Sequence, residues 1–333
     1  MLRHATLPDL LSINKFKRRQ RLLHLNPPYS LVQPDAHARD LWRSQFPFKP
    51  RLSFVYVYVE RGVVLGYVQV RCRWSRQEEW IITTLGSVER VPAHVLEALV
   101  AQVCREAGEE GVLRIFVKVP QDDAMVELFQ GTGFTHYTDE NIWGNLYFSQ
   151  PGKPVSEPEN EQIRRPRGAD TWDLFKLYSA VTPPAVQRAE NLNSREWQRG
   201  SISRPSFLLT DPVEKSYVWS DQAEGQSIGG FVRLLSGKGG HWVTLLFRPD
   251  AINRAVVPRA LDYVLWKASS QSNKPVYCGV REYQAEVESE LESRGFHLLS
   301  KQKLLVKYMA EPVKVPREAL LPFLVPKTPV VSR

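Results

Sequence analysis

The chain has 333 residues, with 43% hydrophobic and 24% charged side chains and a formal net charge of +8. These values exclude an intrinsically disordered chain and favour a soluble protein of two domains rather than one. No apolar run approaches the roughly 20 residues that span a bilayer, so we expect no membrane partner. The N-terminal residues, MLRHATLPDLL, lack the apolar core of a signal peptide. Three cysteines, odd in number and far apart, indicate free thiols in a reducing compartment, and we expect a cytoplasmic location.

The first half of the chain alternates between strand and helix patterns. A short strand at 2–5 is followed by a basic cluster at 15–21. We interpret this cluster as the solvated face of a first helix with Leu22 and Leu23 turned inward; a phosphate-binding patch would show the same charges. The later elements are a hairpin at 53–73 turning at Arg61-Gly62, a strand at 80–85, a long helix, a strand at 113–119, a helix at 123–130, a Gly-Phe turn and a final strand pair.

The second half repeats the first at a nearly constant spacing. Three landmarks of the first half, Gly66, Trp80 and Gly133, have counterparts 162 to 164 positions later. The counterparts are Gly230, Trp242 and Gly295. Arg3 likewise has a counterpart in Arg164, 161 positions later. Four landmarks in the same order indicate two copies of one domain. Each copy mixes strands and helices, which predicts an α/β fold.

Composition places the boundaries between the copies. Residues 149–162 are polar and rich in Pro and Glu, as in a linker, and residues 311–333 carry five prolines, which favours an extended tail over a helix or a central strand. We therefore predict an N-terminal domain at 1–148, a linker at 149–162, a C-terminal domain at 163–310 and a proline-rich extended tail at 311–333.

One passage of the second copy joins a strand directly to a helix. Residues from Trp242 to Phe247 form a short apolar run rich in strand formers, and apolar residues from Val256 to Ala268 recur at the spacing of one helix face. A strand that ends where a helix begins directs backbone N–H groups and the positive helix dipole at one spot. We therefore expect an anion site between this strand and this helix.

The order of the elements resembles that of the GNAT superfamily, the acetyl-coenzyme-A-dependent N-acetyltransferases, in two tandem copies. The most specific local matches are Arg248-Pro249-Asp250, Arg259-Ala260-Leu261 and Ser293-Arg294-Gly295-Phe296. The resemblance implies that each copy is a mixed, mostly antiparallel sheet flanked by helices. It also implies acetyl-CoA or another acyl-CoA as the cofactor, and an amine in a small molecule or a peptide as the acyl acceptor.

In this family, the loop before the long helix carries glycines that let backbone N–H groups close on the pyrophosphate of coenzyme A. The second copy has no glycine there, and the shorter loop of the first copy carries Glu89, whose charge disfavours an anion. Both loops have a proline near the first helical turn, Pro92 and Pro258, which lacks an N–H group. We therefore expect the cofactor in the second copy and a closed first copy. The expected cofactor-binding residues are Phe247, Arg248, Asn253, Arg254, Ala255 and Val256.

The resemblance also implies positions for the catalytic groups. The tyrosine that acts as general acid in the family is replaced by Phe129 in the first copy and by Leu291 in the second. Tyr283 or another hydroxyl must then substitute, or the leaving thiolate takes its proton from water. Glu79 and His241, each at the start of the strand before the long helix, are the expected general bases, unless they only mark the solvent-facing start of a strand. Tyr29 is expected to border the acceptor pocket and to contact the substrate.

Two classes of function remain open. The first is an acyltransferase that acts on an amine, and the second is a catalytically silent GNAT-like protein that serves as a binding or scaffolding module, which the missing glycines and tyrosines favour. Neither HExxH nor CxxC spacing occurs, so we expect no metal site. Only the net charge supports a nucleic-acid partner, which we do not expect.

Overall fold

The computed structural model describes residues 1–9, 11–13, 21–24, 31, 53–73, 76–88, 91–146, 163–197, 213–221, 227–248 and 256–309. The predicted linker at 149–162 and the predicted tail at 311–333 lie outside these residues. The predicted domain boundaries therefore stay a prediction.

The elements of the first half follow the predicted order. Their bounds are β1 (Leu2–His4), β2 (Arg21–His24), β3 (Ser53–Glu60), β4 (Val63–Arg73), β5 (Arg76–Ser87), α1 (Ala93–Glu109), β6 (Arg114–Pro120), α2 (Asp123–Gly131) and β7 (Thr135–Asn145). The predicted β3–β4 hairpin is confirmed. Its turn residues Arg61 and Gly62 have φ angles of 49° and 79°, the left-handed pair that matches a two-residue turn to the twist of its strands.

The second half repeats this series. Its bounds are β8 (Ile163–Arg164), α3 (Thr171–Val181), α4 (Pro184–Glu190), β9 (Val213–Asp221), β10 (Ser227–Ser236), β11 (His241–Phe247), α5 (Val256–Ser269), β12 (Val276–Arg281), α6 (Glu286–Glu292) and β13 (His297–Tyr308). Short 3₁₀ turns cover Gly168–Asp170, Ser194–Trp197 and Glu282–Gln284. The predicted apolar face of α5 is confirmed, because Val257, Ala260, Leu261, Val264, Leu265 and Ala268 are all buried.

The strands of both halves lie in a single 13-stranded sheet. Twelve of them follow the order β1-β3-β4-β5-β6-β13-β7-β12-β11-β10-β9-β8, and β2 lies off this path and pairs with β5. The last strand of each half lies among strands of the other half. β13 pairs antiparallel with both β6 and β7, and β7 pairs antiparallel with β12. The two halves have therefore exchanged their final strands. The sequence also predicts that each copy ends in a pair of strands. This prediction is wrong, because the described residues at those positions form one long strand in each half, β7 and β13.

The two hydrophobic cores reflect this exchange. One core lies between the first half of the sheet and α1, and it contains Leu305 of β13. The other lies between the second half of the sheet and α5, and it contains Trp143 of β7. Each half thus buries an apolar side chain that the other half supplies, so neither core is complete without the exchange.

The strand β2 corrects the interpretation of a first helix that extends to Leu23. Residues Arg21–His24 form an extended strand that pairs antiparallel with the edge of β5. The basic cluster at 15–20 lies outside the described residues. None of the described helices is long and apolar enough to cross a bilayer. All three cysteines are free thiols, as predicted.

Candidate functional site

The second half contains a gap between two parallel strands. β11 and β12 pair over only three residues, from His241↔Val276 to Val243↔Cys278. Their outer edges stay paired beyond that point, because β10 follows β11 as far as Phe247 and β7 follows β12 as far as Arg281. The gap therefore opens inside a sheet that is held on both sides, and it widens toward the end of β11 that precedes α5.

Backbone groups of β11 face this gap. His241 N–H donates to Pro275 O beside β12 at 2.8 Å, and Leu245 O accepts from Gln284 Nε2 at 3.0 Å. Alternate residues of an antiparallel strand face opposite neighbours, so the odd-numbered residues of β11 face β12. The N–H groups of Leu245 and Phe247 consequently point into the gap, and α5 begins nine positions after Phe247, at Val256.

The first half contains the equivalent gap, but a strand of the chain occupies it. β5 and β6 pair in parallel only from Glu79↔Arg114 to Ile82↔Val117. Beyond Ile82 the same edge of β5 is paired with β2, from His24↔Thr84 to Arg21↔Ser87. The backbone of β2 thus pairs with this edge of β5, whereas among the described residues no strand pairs with the corresponding edge of β11.

A cavity of about 230 Å³ adjoins the gap of the second half. Its walls are strands β10, β11 and β12, helices α3 and α4, the 3₁₀ turns that follow α4 and β12, and one residue each from β6 and β7. The residues from β6 and β7 are Lys118 and Glu140. The first half therefore contributes two charged side chains to a cavity of the second half, and it does so because the final strands are exchanged.

A network of buried charges forms one wall of the cavity. Glu140 accepts hydrogen bonds from Lys118 Nζ at 2.6 Å and from Gln302 Nε2, and its Oε1 lies 3.0 Å from Arg281 Nε. Arg281 Nη2 also donates to Glu190 Oε1 at 3.1 Å. Burial acts to raise the pKa of Glu140, but the charges of Lys118 and Arg281 outweigh it and hold the pKa below its usual value. The glutamate is therefore an anion that positions Arg281 and a poor proton acceptor.

Two tyrosine hydroxyls also line the cavity. Tyr178 Oη donates to Glu190 Oε2 at 3.1 Å. Burial raises the pKa of Tyr283 to about 12, although the nearby charge of Arg281 acts in the opposite direction. A hydroxyl with this pKa keeps its proton at neutral pH, so Tyr283 is a proton donor in the cavity. Among the residues singled out from the sequence, Tyr283 is the one that lies on the cavity wall.

The expected general bases lie at the closed end of the strand pairs. His241 is fully buried, with Nδ1 2.8 Å from Ser236 Oγ and Nε2 3.0 Å from Ser272 O, and burial lowers its pKa. Glu79 is 1% exposed and lies 3.9 Å from Arg114 Nη1. The interpretation of both as solvent-facing residues is therefore wrong. Neither lines the cavity, and a catalytic role for either stays a prediction.

The expected cofactor-binding residues are only partly described. Phe247 is 4% exposed and packs in the second core, so it can face a cofactor only through its backbone. Arg248 follows β11, with its N–H 3.1 Å from Gly229 O, and Val256 begins α5. Asn253, Arg254 and Ala255 lie outside the described residues, as does Tyr29.

The charged cavity residues are not evident from the sequence. Glu140 and Arg281 lie 141 positions apart, and only the strand of Arg281 is otherwise apolar and mostly buried. A charged residue in such a strand is a signal that points to Arg281, because burying a charge requires a partner. The strand of Glu140, THYTDENIWGN, is polar along much of its length and gives no such signal. The ion pair between the two residues also joins different halves of the chain. Phe129 and Leu291, by contrast, are both fully buried, as expected of apolar residues in the place of a tyrosine.

Several solved structures share this architecture. A GCN5-related N-acetyltransferase from Sphaerobacter thermophilus is 14% identical in sequence, with a TM-score of 0.54 over 92% of this chain and 95% of that protein. A Drosophila protein is also 14% identical, with a TM-score of 0.55 over 92% and 98%. The chain has the GNAT fold. The fold predicted from the order of elements is thus confirmed, while identities this low say nothing about activity.

A third neighbour is a conserved protein of unknown function from Staphylococcus epidermidis, 9% identical, with a TM-score of 0.52 over 76% of this chain and 94% of that protein. No protein-family model matches the sequence, and no curated protein matches it. Within the described residues, no group of three or more His, Cys, Asp or Glu side chains could hold a metal ion.

Proposed function

We propose that this chain is an acyltransferase that uses acyl-CoA and an amine acceptor, with the gap between β11 and β12 as its cofactor site. The observation that carries the proposal is this gap in a GNAT fold, open at the end where α5 begins and adjoined by a cavity. Acyl-CoA supplies an activated thioester, whose carbonyl carbon an amine can attack.

The residues of the gap fit an extended acyl carrier. A chain that lies along the open edge of β11 can form strand-like hydrogen bonds with the N–H groups of Leu245 and Phe247. Gly279 on the facing strand lets the Trp242 ring pack against β12, because a Cβ there would lie 2.8 Å from Trp242 Cζ2. The helix dipole of α5 and the charge of Arg248 favour the phosphate groups at the open end.

Two groups of the chain serve the reaction in this proposal. The N–H of Leu245, which is held in β11, stabilises negative charge that develops on the carbonyl oxygen. The Tyr283 hydroxyl keeps its proton at neutral pH and delivers it to the leaving sulfur. It takes the role of the family tyrosine that Leu291 replaces, and it does so from the 3₁₀ turn after β12 rather than from α6.

One cofactor site per chain follows from the occupied gap of the first half. β2 forms with β5 the backbone pairing that an extended ligand would otherwise form. This arrangement supports the expectation of a closed first copy, and it gives the closure a physical cause besides the prolines and Glu89 of the loop. We therefore expect a stoichiometry of 1:1.

Titration calorimetry with acetyl-CoA tests the site. We expect one equivalent to bind, and Arg248→Ala to weaken binding about tenfold through the lost charge. Arg105→Ala removes the same charge from the exposed face of α1 and should leave binding unchanged. Absence of binding at millimolar acetyl-CoA would refute the enzymatic proposal and leave the silent binding module.

Turnover tests the role of Tyr283. Acyl transfer is measured as the release of free thiol from acetyl-CoA in the presence of a mixture of primary amines. We expect Tyr283→Phe to lower kcat by about 10²-fold with unchanged acetyl-CoA binding, because the ring and its packing remain. Unchanged kcat in this variant would assign the proton to water instead.

A further inference from the structure

Two buried side-chain nitrogens that line the cavity have no hydrogen-bond partner among the described residues. They are the indole N–H of Trp197 and the Nη1 nitrogen of Arg281. Both atoms can only donate. A buried donor without an acceptor costs stability, so two such atoms on the wall of one cavity indicate that a ligand with acceptor oxygens completes them.

The charges that line the cavity are paired with one another, but two of its hydrogen-bond donors are not. Lys118 and Arg281 pair with Glu140 and Glu190, and Arg233 Nε lies 3.2 Å from Glu214 Oε1. The carboxylates of Glu140 and Glu190 already accept hydrogen bonds from cavity residues. The wall thus has a surplus of donors, one of them on the cationic Arg281, and it complements the acceptor oxygens of an anion.

The cavity also has an apolar side, and it is small. Trp197 packs edge-on against Phe231, with ring centroids 5.3 Å apart, and Trp242 and Leu246 of β11 line the same space. The volume of about 230 Å³ lies below the roughly 300 Å³ at which sites for drug-sized ligands begin. The ligand therefore combines one anionic group with a compact apolar body.

We propose that the acyl acceptor is an amine that carries a carboxylate, in the form of a free amino acid with an apolar side chain. Its carboxylate accepts hydrogen bonds from Arg281 Nη1 and Trp197 Nε1, and its side chain lies against Phe231 and Leu246. Since the cavity adjoins the gap, the amine can then reach the thioester. The new C–N bond replaces the C–S bond, and the proton lost by nitrogen is balanced by the one gained by sulfur, which gives an N-acyl amino acid and free CoA.

This inference rests on the proposed function for the reaction, but its binding step can be tested without cofactor. Titration calorimetry compares three probes, each of which carries a phenyl ring. They are L-phenylalanine, 3-phenylpropanoate, which lacks the amine, and 2-phenylethylamine, which lacks the carboxylate. We expect the two carboxylates to bind at least tenfold more tightly than the amine, because a hydrogen bond to a charged group is lost in the latter.

The variant Trp197→Phe removes the indole N–H and keeps an aromatic ring against Phe231. We expect it to weaken L-phenylalanine about tenfold and to leave 2-phenylethylamine unchanged. Trp172→Phe, at a tryptophan that is 56% exposed on α3, is the matched control and should change neither. Arg281→Lys, which keeps the charge but loses the fork of N–H groups, should also weaken L-phenylalanine selectively.

Equal binding of all three probes, absence of binding by any of them, or an equal loss for both ligands in Trp197→Phe would each overturn the inference. The acetyl-CoA titration separates the two proposals. Cofactor binding without a preference for carboxylates would refute this inference alone, and carboxylate binding without cofactor binding would refute the acyltransferase alone.

Discussion

At the scale of single residues, the repeat is most evident in an ion pair between an arginine and an aspartate that occurs once in each half. Arg3 Nη1 and Nη2 donate to the carboxylate of Asp9 at 2.5 and 3.0 Å, and Arg164 forms the same two-pronged pair with Asp170 at 2.6 and 2.7 Å. Each carboxylate also accepts a backbone N–H three residues before it. The planar guanidinium matches a carboxylate in this geometry, so each pair ties the first strand of its half to the turn that follows.

We expect Asp170→Asn to lower the free energy of unfolding by about 1 to 2 kcal/mol at pH 7. The hydrogen bonds from Arg164 lower the pKa of Asp170, and burial only partly opposes them. A carboxyl whose folded pKa lies below its unfolded value of about 3.9 stabilises the protein above that pH and ceases to do so as the pH falls through the folded pKa. Urea unfolding of wild type and variant should therefore differ less at pH 3 than at pH 7.

Asp173→Asn is the control for this prediction, because its carboxylate is 44% exposed and its ion pair among the described residues is with Lys176 on the same helix. Such surface pairs contribute well under about 1 kcal/mol. An equal loss at Asp170 and Asp173, or a difference that does not depend on pH, would show that the Arg164 pair adds nothing to stability.

At the scale of elements, the two halves differ in what lies beside the strand that precedes the long helix. Among the described residues, no strand pairs with the β12-facing edge of β11 at 244–247, whereas the corresponding edge of β5 is paired with β2. The sequence indicates that the first loop is unfavourable for an anion, but nothing in it places Arg21–His24 on β5. A four-residue segment beside a basic cluster has too little periodicity to distinguish a strand from the end of a helix.

Hydrogen–deuterium exchange measured by mass spectrometry should reveal this difference. We expect peptides that cover 244–247 to exchange faster than those that cover 83–87, because hydrogen-bonded strand edges are protected. Acetyl-CoA should slow exchange at 244–247 and leave 83–87 unchanged. Protection of both segments by acetyl-CoA would mean that β2 separates from β5 and that the first half also binds cofactor.

At the scale of the whole molecule, the exchange of β7 and β13 makes the halves interdependent. β13 separates β6 from β7, and β7 lies between β13 and β12. The hydrogen bond from Gln302 to Glu140 spans 162 positions and links the exchanged strands within the charged wall of the cavity. The candidate acceptor site therefore forms only when both halves of the chain are present.

Residues 1–146 alone should not form a stable monomer, because the position of β13 in their sheet stays vacant and leaves two strand edges exposed. We expect a chain that ends at residue 296 to show no cooperative urea transition in either half. Near-UV circular dichroism measures this transition. A chain that ends at residue 309 keeps every described strand and is the control. Cooperative unfolding of residues 1–146 as a monomer would contradict the interdependence.

The sequence by itself determined the order of strands and helices, the repeat, the β3–β4 hairpin and the buried face of α5. These features depend on periodicity and turn chemistry, which are local. Only the tertiary structure decided in which half of the sheet β7 and β13 each lie. The two strands occupy equivalent places in the repeat, so a local pattern that fits one position fits the other equally well. The charged cavity follows from that choice, since Glu140 and Arg281 meet only when the final strands are exchanged.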